Sequence, residues 1–440
     1  MHSPPQHLSA VIRSFCGATL DAVTARNCRN LIISGSWIGL IEGGIITYLP
    51  VFLARLGASP TMMSLLTAGQ FLVGMISYIP GGAYAERHMN QVRLANITSI
   101  IARSSYLLIA LLPLAFDKTV LPPMAVTIWT LAAIPTAVFV PSFFTVVQQA
   151  VPVQIRAQFL GVRWAIMTLI SAISIPLFGL LLDHTPFILG YQIVFGFSFL
   201  GSVLHMVHFG QIQVPPFVAD SREAYGKRSW LEGARVFLRS FTESPLFVRY
   251  SLATLAFRLA LYIPYALFSV YWVRGLHASD TIIGLRGGVG YTFLALGYIL
   301  WGRWSHRWGD RIVLLFSGLA FGFYPLVTVM IPSMEWLPAV AALWGFAGSG
   351  IDIGLFAMMM ALSPEDKRPR FVAATYMLSS FTSFVGPLLG AALAESLGVR
   401  SCLLVGGGLQ LLGALFFLWL PGREEILGQS PDKPAGRAAI

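Results

Sequence analysis

Residues 58–65 read Ala-Ser-Pro-Thr-Met-Met-Ser-Leu, and residues 278–285 read Ala-Ser-Asp-Thr-Ile-Ile-Gly-Leu, a shift of 220 positions. The same shift sets Gly82 on Gly302 and Arg87 on Arg307. A shift of 211 sets Pro176 and Gly179 on Pro387 and Gly390, and Arg156 on Lys367. Chance matching within apolar sequence is the competing explanation. Against it, the polar loop residues match in order at equivalent places. The chain therefore reads as one unit duplicated.

Composition says what kind of unit. Of 440 residues, 56% are hydrophobic and 11% charged, against about 25% charged in an ordinary soluble domain. Mean hydropathy is +0.72. These values exclude a soluble enzyme, a disordered chain and a secreted disulfide scaffold. Cys16, Cys28 and Cys402 are far apart, so neither a disulfide framework nor a metal site is expected. The net charge of +10 sits in short strips between apolar runs, which set orientation in a membrane protein. No nucleic-acid partner is expected. The first 30 residues carry Arg13, Asp21, Arg26 and Arg29 and do not read as a signal peptide.

A membrane helix takes roughly 20 apolar residues. Twelve spans are predicted: 31–53, 62–84, 94–115, 122–147, 159–182, 189–211, 246–272, 280–302, 312–331, 336–361, 371–394 and 399–420. The fold class is all-α integral membrane, with twelve transmembrane helices in two parallel, pseudo-repeated six-helix halves. Such halves with a binding site between them are one of the repeat architectures of secondary transporters. The expected segments are an N-terminal tail 1–30, a half 31–211, a linker 212–245, a half 246–420 and a tail 421–440. Trp230, Phe237, Leu238 and Phe241 give the linker's second part an amphipathic character suited to the membrane surface. Arg87, Arg93, Arg156, Arg303, Arg307, Arg311, Lys367, Arg368 and Arg370 fall on one side. Only Arg55, Lys118, Arg274 and Arg400 fall on the other. Both tails and the linker are thus expected in the cytoplasm, with the chain in the plasma membrane.

The loop after the second helix of each half carries a more specific signal. The second reads Gly302-Arg303-Trp304-Ser305-His306-Arg307-Trp308-Gly309-Asp310-Arg311. The first reads Gly82-Ala83-Tyr84-Ala85-Glu86-Arg87-His88-Met89-Asn90-Gln91. With the repeat, these loops resemble the major facilitator superfamily of transporters over nearly the whole chain. The resemblance implies a cytoplasmic latch between the halves at Gly82, Glu86, Arg87, Gly302 and Arg307. The plainer reading of the arginines is the positive-inside rule alone. The family's Gly-Pro pattern in the fifth helix is partly kept by Pro176 and Gly179, and in the eleventh by Gly386, Pro387 and Gly390. These positions imply bendable helices, or kinks of structural use only.

Ionisable residues within spans are costly and usually face protein or water. Glu42 stands in the first helix, Arg258 in the seventh and Asp352 in the tenth. The resemblance implies that helices 1, 4, 7 and 10 line a central cavity, where these three would share one wet site. A structural ion-pair network is the alternative. Gln70, Tyr262, Tyr265, Tyr48 and Tyr376 are candidate substrate contacts. Phe139, Phe143 and Phe144 are candidates for an apolar wall or for plain packing. Arg103 reads as structural, and Arg286 as a gate or rim charge, or one that snorkels outward. Trp272, Trp301, Trp304, Trp336 and Trp419 read as interfacial anchors.

The reading is a transporter and not an enzyme, without cofactor or metal, moving a small organic solute by alternating access with protons as the coupling ion. A monomer in the lipid bilayer is expected. The direction read is efflux of lipophilic or drug-like compounds. The alternative is uptake of a sugar, carboxylate or other metabolite. A membrane lipid enzyme or a sensor is the rival from another class. No group of nucleophile, paired acids or metal ligands at one interface supports it.

Overall fold

The computed structural model describes residues 20–217, 245–363, 368–422 and 425. The expected surface helix around Trp230, most of both tails and Lys367 lie outside the described residues. Among the described residues, twelve helices are long and apolar enough to cross a membrane. We number them α1 (Ala22–Arg55), α2 (Pro60–Glu86), α3 (Gln91–Leu111), α4 (Leu121–Ala150), α5 (Val153–Asp183) and α6 (Phe187–Phe209). The second six are α7 (Pro245–Gly275), α8 (Asp280–Trp308), α9 (Asp310–Met330), α10 (Leu337–Leu362), α11 (Arg368–Leu397) and α12 (Val399–Leu415).

Local chemistry explains the matched octapeptides. Ser59 and Ser279 are the N-caps of α2 and α8, each accepting from an amide three residues on, Met62 or Ile282, at 3.2 Å. The residue two before each cap, Gly57 or His277, has positive φ, 89° and 52°. The repeat is thus a turn and a cap before it is a pattern of apolar letters. Asp21 caps α1 at the amides of Val23 and Thr24. Hydropathy misses the first turns of α1, which carry Arg26 and Arg29. It also misses the last turns of α8, where His306 and Arg307 suit the negative helix end.

Packing repeats as well. α1 lies on α5 and α6, α2 on α4, and α3 on α4 and α6; α7 lies on α11 and α12, α8 on α10, and α9 on α10 and α12. The halves meet through α5 against α8 and, reciprocally, α11 against α2.

The first helix of each half is bent near its middle. In α1 the segment Glu42–Ile46 is a π turn, and Gly44 departs from helical backbone with φ −93° and ψ −107°. The freed Ile45 amide donates to Ser198 Oγ of α6 at 2.9 Å. Added Cβ atoms on Gly43 and Gly44 would overlap Ser174 Oγ and Ser198 Oγ. Glycine at these positions is therefore what lets α5 and α6 brace the bend. In α7, Pro264 lies one turn before a break at Leu267.

One end of the bundle is closed across the halves. Arg55 pairs with Asp280 at 2.9 Å and donates to the Ala278 carbonyl at 2.9 Å. Arg274 donates to the carbonyls of Ala54 and Ala58 at 2.9 and 2.6 Å. Tyr191 donates to Asp280 at 2.8 Å, and Asp183 accepts from the amides of Asp280 and Thr281 at 3.0 and 2.8 Å. Thr61 and Glu395 join α2 to α11 at the same end. At the other end, where α1 begins and α2 and α8 finish, no hydrogen bond or ion pair joins the halves among the described residues.

Candidate functional site

The site is built on the bent α1 and the unbroken α8. Glu42 is the first residue of the π turn. Its carbonyl accepts from Thr47 at 2.7 Å, and its Oε2 accepts from the Tyr291 hydroxyl of α8 at 3.3 Å. This bond crosses between the halves, far from the ends of both helices. Tyr291 packs beside Trp344 of α10. Two turns further along the same face of α8, Tyr298 donates to Asp352 of α10 at 2.9 Å. Arg258 of α7 donates to Ser379 of α11 at 2.5 Å, and its Nε is buried with no partner among the described residues. Arg258 and Asp352 lie within electrostatic reach of each other.

The three ionisable residues expected in one site each have a different hydrogen-bond partner, Tyr291 for Glu42, Ser379 for Arg258 and Tyr298 for Asp352. Arg258 and Asp352 belong to the second half, and Glu42 on α1 is linked to that half through Tyr291. No direct ion pair joins the three among the described residues. Asp352 is exposed, as are Tyr298, Tyr265 and Tyr376. Tyr262 packs between Tyr265 and Phe71 of α2, and Gln70 donates to the Trp129 carbonyl of α4 at 3.2 Å. Tyr48 is fully buried at the closed end, donating to the Ile175 carbonyl at 2.8 Å. It is part of the closure and not open to a solute.

Other expectations change in detail. Arg286 neither rims the bundle nor snorkels. Its guanidinium lies over Trp272 and Trp344 at 4.3 and 4.8 Å, and it donates to Tyr324 at 2.9 Å. Trp272 is thereby an interior residue, as is Trp301, which donates to the Phe346 carbonyl at 2.8 Å; Trp336 and Trp419 stay exposed at span ends. Of the expected apolar wall, Phe139 and Phe143 pack inside the first half, under Arg103 and Arg163, and Phe144 is exposed. The latch glycines Gly82 and Gly302 face open space, and no bond joins Glu86, Arg87 or Arg307 to the other half among the described residues. Ser305 and Asp310 bond to one another beside Gly309.

Both proline positions lie in continuous helices. At Pro176 and Gly179, α5 meets Gly284, Gly287 and Gly288 of α8, so these residues serve the contact between halves. Gly386 and Gly390 pack on Tyr262 and Ile263 of α7 within one half, with Pro387 between them.

Sequence reasoning missed Tyr291 and Tyr298, whose signal was a seven-residue spacing on one helix face. It missed Asp280 too, which stands where the first half has Pro60 and so breaks the repeat with an acid.

A family model of the Major Facilitator Superfamily matches residues 31–271 and 250–440. The chain belongs to this superfamily. It is a family of membrane transporters, not enzymes, and its member here is a multi-pass integral membrane protein. Among curated relatives, a multi-drug resistance efflux pump PmrA homolog of Lactococcus lactis subsp. lactis is 27% identical over 158 residues, covering 34% of this chain and 38% of that protein. The Azole resistance protein 1 of Saccharomyces cerevisiae is 30% identical over 126 residues, 29% of this chain and 20% of that one. The chain thus spans well under half the length of these relatives. Among solved structures, a POT family transporter in complex with 5-aminolevulinic acid superposes with a TM-score of 0.69 at 14% identity, over 90% of this chain and 96% of that one.

Proposed function

We propose that this superfamily member is a secondary active transporter that exports lipophilic organic compounds in exchange for protons. The observation that carries the reading is the Glu42–Tyr291 bond at 3.3 Å. It ties a carboxyl group far from the ends of α1 to the opposite half. A hydroxyl donor serves the ionised carboxylate. Any movement that parts α1 from α8 withdraws a partner the charged form needs, so protonation and conformation are linked. With the arginine-rich loops in the cytoplasm, the closed end faces outward, and this is the inward-facing state of an alternating-access cycle. The plasma membrane is the proposed location, and a monomer the working unit.

The efflux names of the relatives support the direction, as do the aromatic side chains Tyr291, Trp344 and Tyr298 beside the two acids. The exposed Tyr298 and Asp352, with the partly buried Arg258 in the same half, favour a second reading, uptake of a polar metabolite, because charged groups recognise a polar solute better than a lipophilic one. Proteoliposomes with an imposed pH gradient test the coupling. Glu42→Gln removes the charge at nearly constant shape. It is expected to abolish gradient-driven accumulation while substrate exchange stays measurable. Accumulation equal to that of the unmodified protein would refute Glu42 as the proton carrier and move the role to Asp352.

A further inference from the structure

The first half contains a polar cluster that transport through the central site does not use. Arg103 of α3, Arg163 of α5 and His205 of α6 surround a layer of Phe139, Phe143 and Phe209. The Arg103 guanidinium lies 5.5 Å from the Phe139 centroid, and that of Arg163 lies 5.1 Å from the Phe143 centroid. Phe143 stacks on Phe209 at 5.7 Å, and Phe209 stacks on His205 at 5.7 Å. Arg163 is 5% exposed and His205 1%. His205 is within electrostatic reach of both arginines and of His208.

What the cluster lacks is an anionic acceptor. Arg163 spends its Nε on the Leu31 carbonyl at 3.1 Å. Arg103 Nη1 is sealed from solvent with no partner, and so are Ser99 Oγ, one turn before it, and His205 Nε2. No carboxylate pairs with either arginine among the described residues. The Tyr106 hydroxyl is a side-chain hydrogen-bond partner of Arg103 and lies within electrostatic reach of Glu42. Two buried guanidinium groups without a counter-charge are costly. Rings beneath them offset part of the cost and leave Arg103 Nη1 unused as a donor.

We propose that Arg103, Arg163 and His205 form a binding site for the carboxyl group of a small aromatic acid inside the first half. A carboxylate satisfies two guanidinium groups at once, and the phenylalanine layer suits a flat apolar body. The histidine argues for a carboxyl group over a halide. Its Nδ1 lies 3.0 Å from the Ser34 carbonyl and so carries the proton. The bare Nε2 then accepts from a protonated carboxyl, or donates to a carboxylate once the ring is charged. The site stands apart from Glu42, Arg258 and Asp352 and holds whether or not these couple transport.

The test uses the full chain purified in detergent, with sodium benzoate and sodium chloride as probes at constant ionic strength kept by sodium sulfate. Benzoate is expected to raise the unfolding midpoint saturably, at roughly tenfold lower concentration than chloride. Arg103→Gln and Arg163→Gln should lose that rise, and a variant of the exposed Arg400, Arg400→Gln, should keep it. Ser99→Asp supplies the missing acid from within; it should raise the midpoint without benzoate and cancel the response. No saturable rise, or a rise unchanged in Arg103→Gln, overturns the site. Equal potency of chloride overturns the carboxyl assignment. Should the arginine variants fail to fold, a Ser99→Asp protein that still responds like the unmodified one overturns it as well.

Discussion

Arg55 and Arg274 are exchanged between the halves. Arg55, at the end of α1, donates to the Ala278 carbonyl at 2.9 Å, and Arg274, at the end of α7, donates to the Ala58 carbonyl at 2.6 Å. Ala58 and Ala278 are themselves equivalent positions of the repeat. Arg274 lies one position before the repeat equivalent of Arg55, Gly275, yet the two arginines make matching bonds in opposite directions. The second half adds Asp280, which ties in Arg55 and Tyr191 as well, and the first half adds Asp183, which accepts from the Asp280 and Thr281 amides.

Asp280→Asn removes the charge from that junction. We expect it to weaken closure of this end by about 2 kcal/mol, a shift of roughly thirtyfold in the balance of states. Distance measurements between spin labels on α1 and α8 at that end check it. An unchanged distance distribution would show that the backbone bonds of Arg274 suffice.

Gly288→Leu and Gly302→Leu should behave differently. A side chain at Gly288 meets the Ala172 carbonyl of α5, whereas one at Gly302 meets open space. The first variant should lower the melting midpoint of the state described here. The second should leave it unchanged and impair transport only, by obstructing closure at the other end. Normal transport in Gly302→Leu would remove the latch role.

Ser198→Ala takes the acceptor from the Ile45 amide, bonded at 2.9 Å in the interior. A buried amide left without a partner costs about 1–3 kcal/mol. Thermal unfolding in detergent should show that loss. A midpoint unaltered from the unmodified protein would mean that the π turn re-forms an ordinary ladder.

Orientation has its own test. Single cysteines at Asn90 and Ser305 should resist a membrane-impermeant reagent added outside intact cells and react once the membrane is opened. Labelling of both from outside would reverse the assignment of sides.

Much of the fold was legible because the signals are strong and local. A long apolar run identifies a span, and the serine caps at 59 and 279 mark where two of them begin. Span ends were less legible, since hydropathy falls where Arg26, Arg29 and Arg307 extend a helix beyond its apolar stretch. Site residues divide in the same way. Glu42, Arg258 and Asp352 stand out as charges in apolar sequence. Tyr291 and Tyr298 do not, because tyrosine is ordinary in a membrane helix and only the facing acid gives it a role. Trp272 reads as an interfacial anchor by position, and nothing in its neighbourhood in sequence reveals Arg286 above it.

The bend at Gly44 and the bond at Glu42 stand three residues or fewer apart, yet they belong to different mechanical classes. The bend is braced by Ser174 and Ser198, both in the same half as α1. It travels with that half as a fixed elbow, whichever way the halves rock. The Glu42–Tyr291 bond crosses the boundary, and under the alternating access proposed above it would be made and broken once in each full cycle. A permanent shape thus presents a transient contact. The carboxyl group need not search for its partner on each return, because the elbow brings it back to the same place.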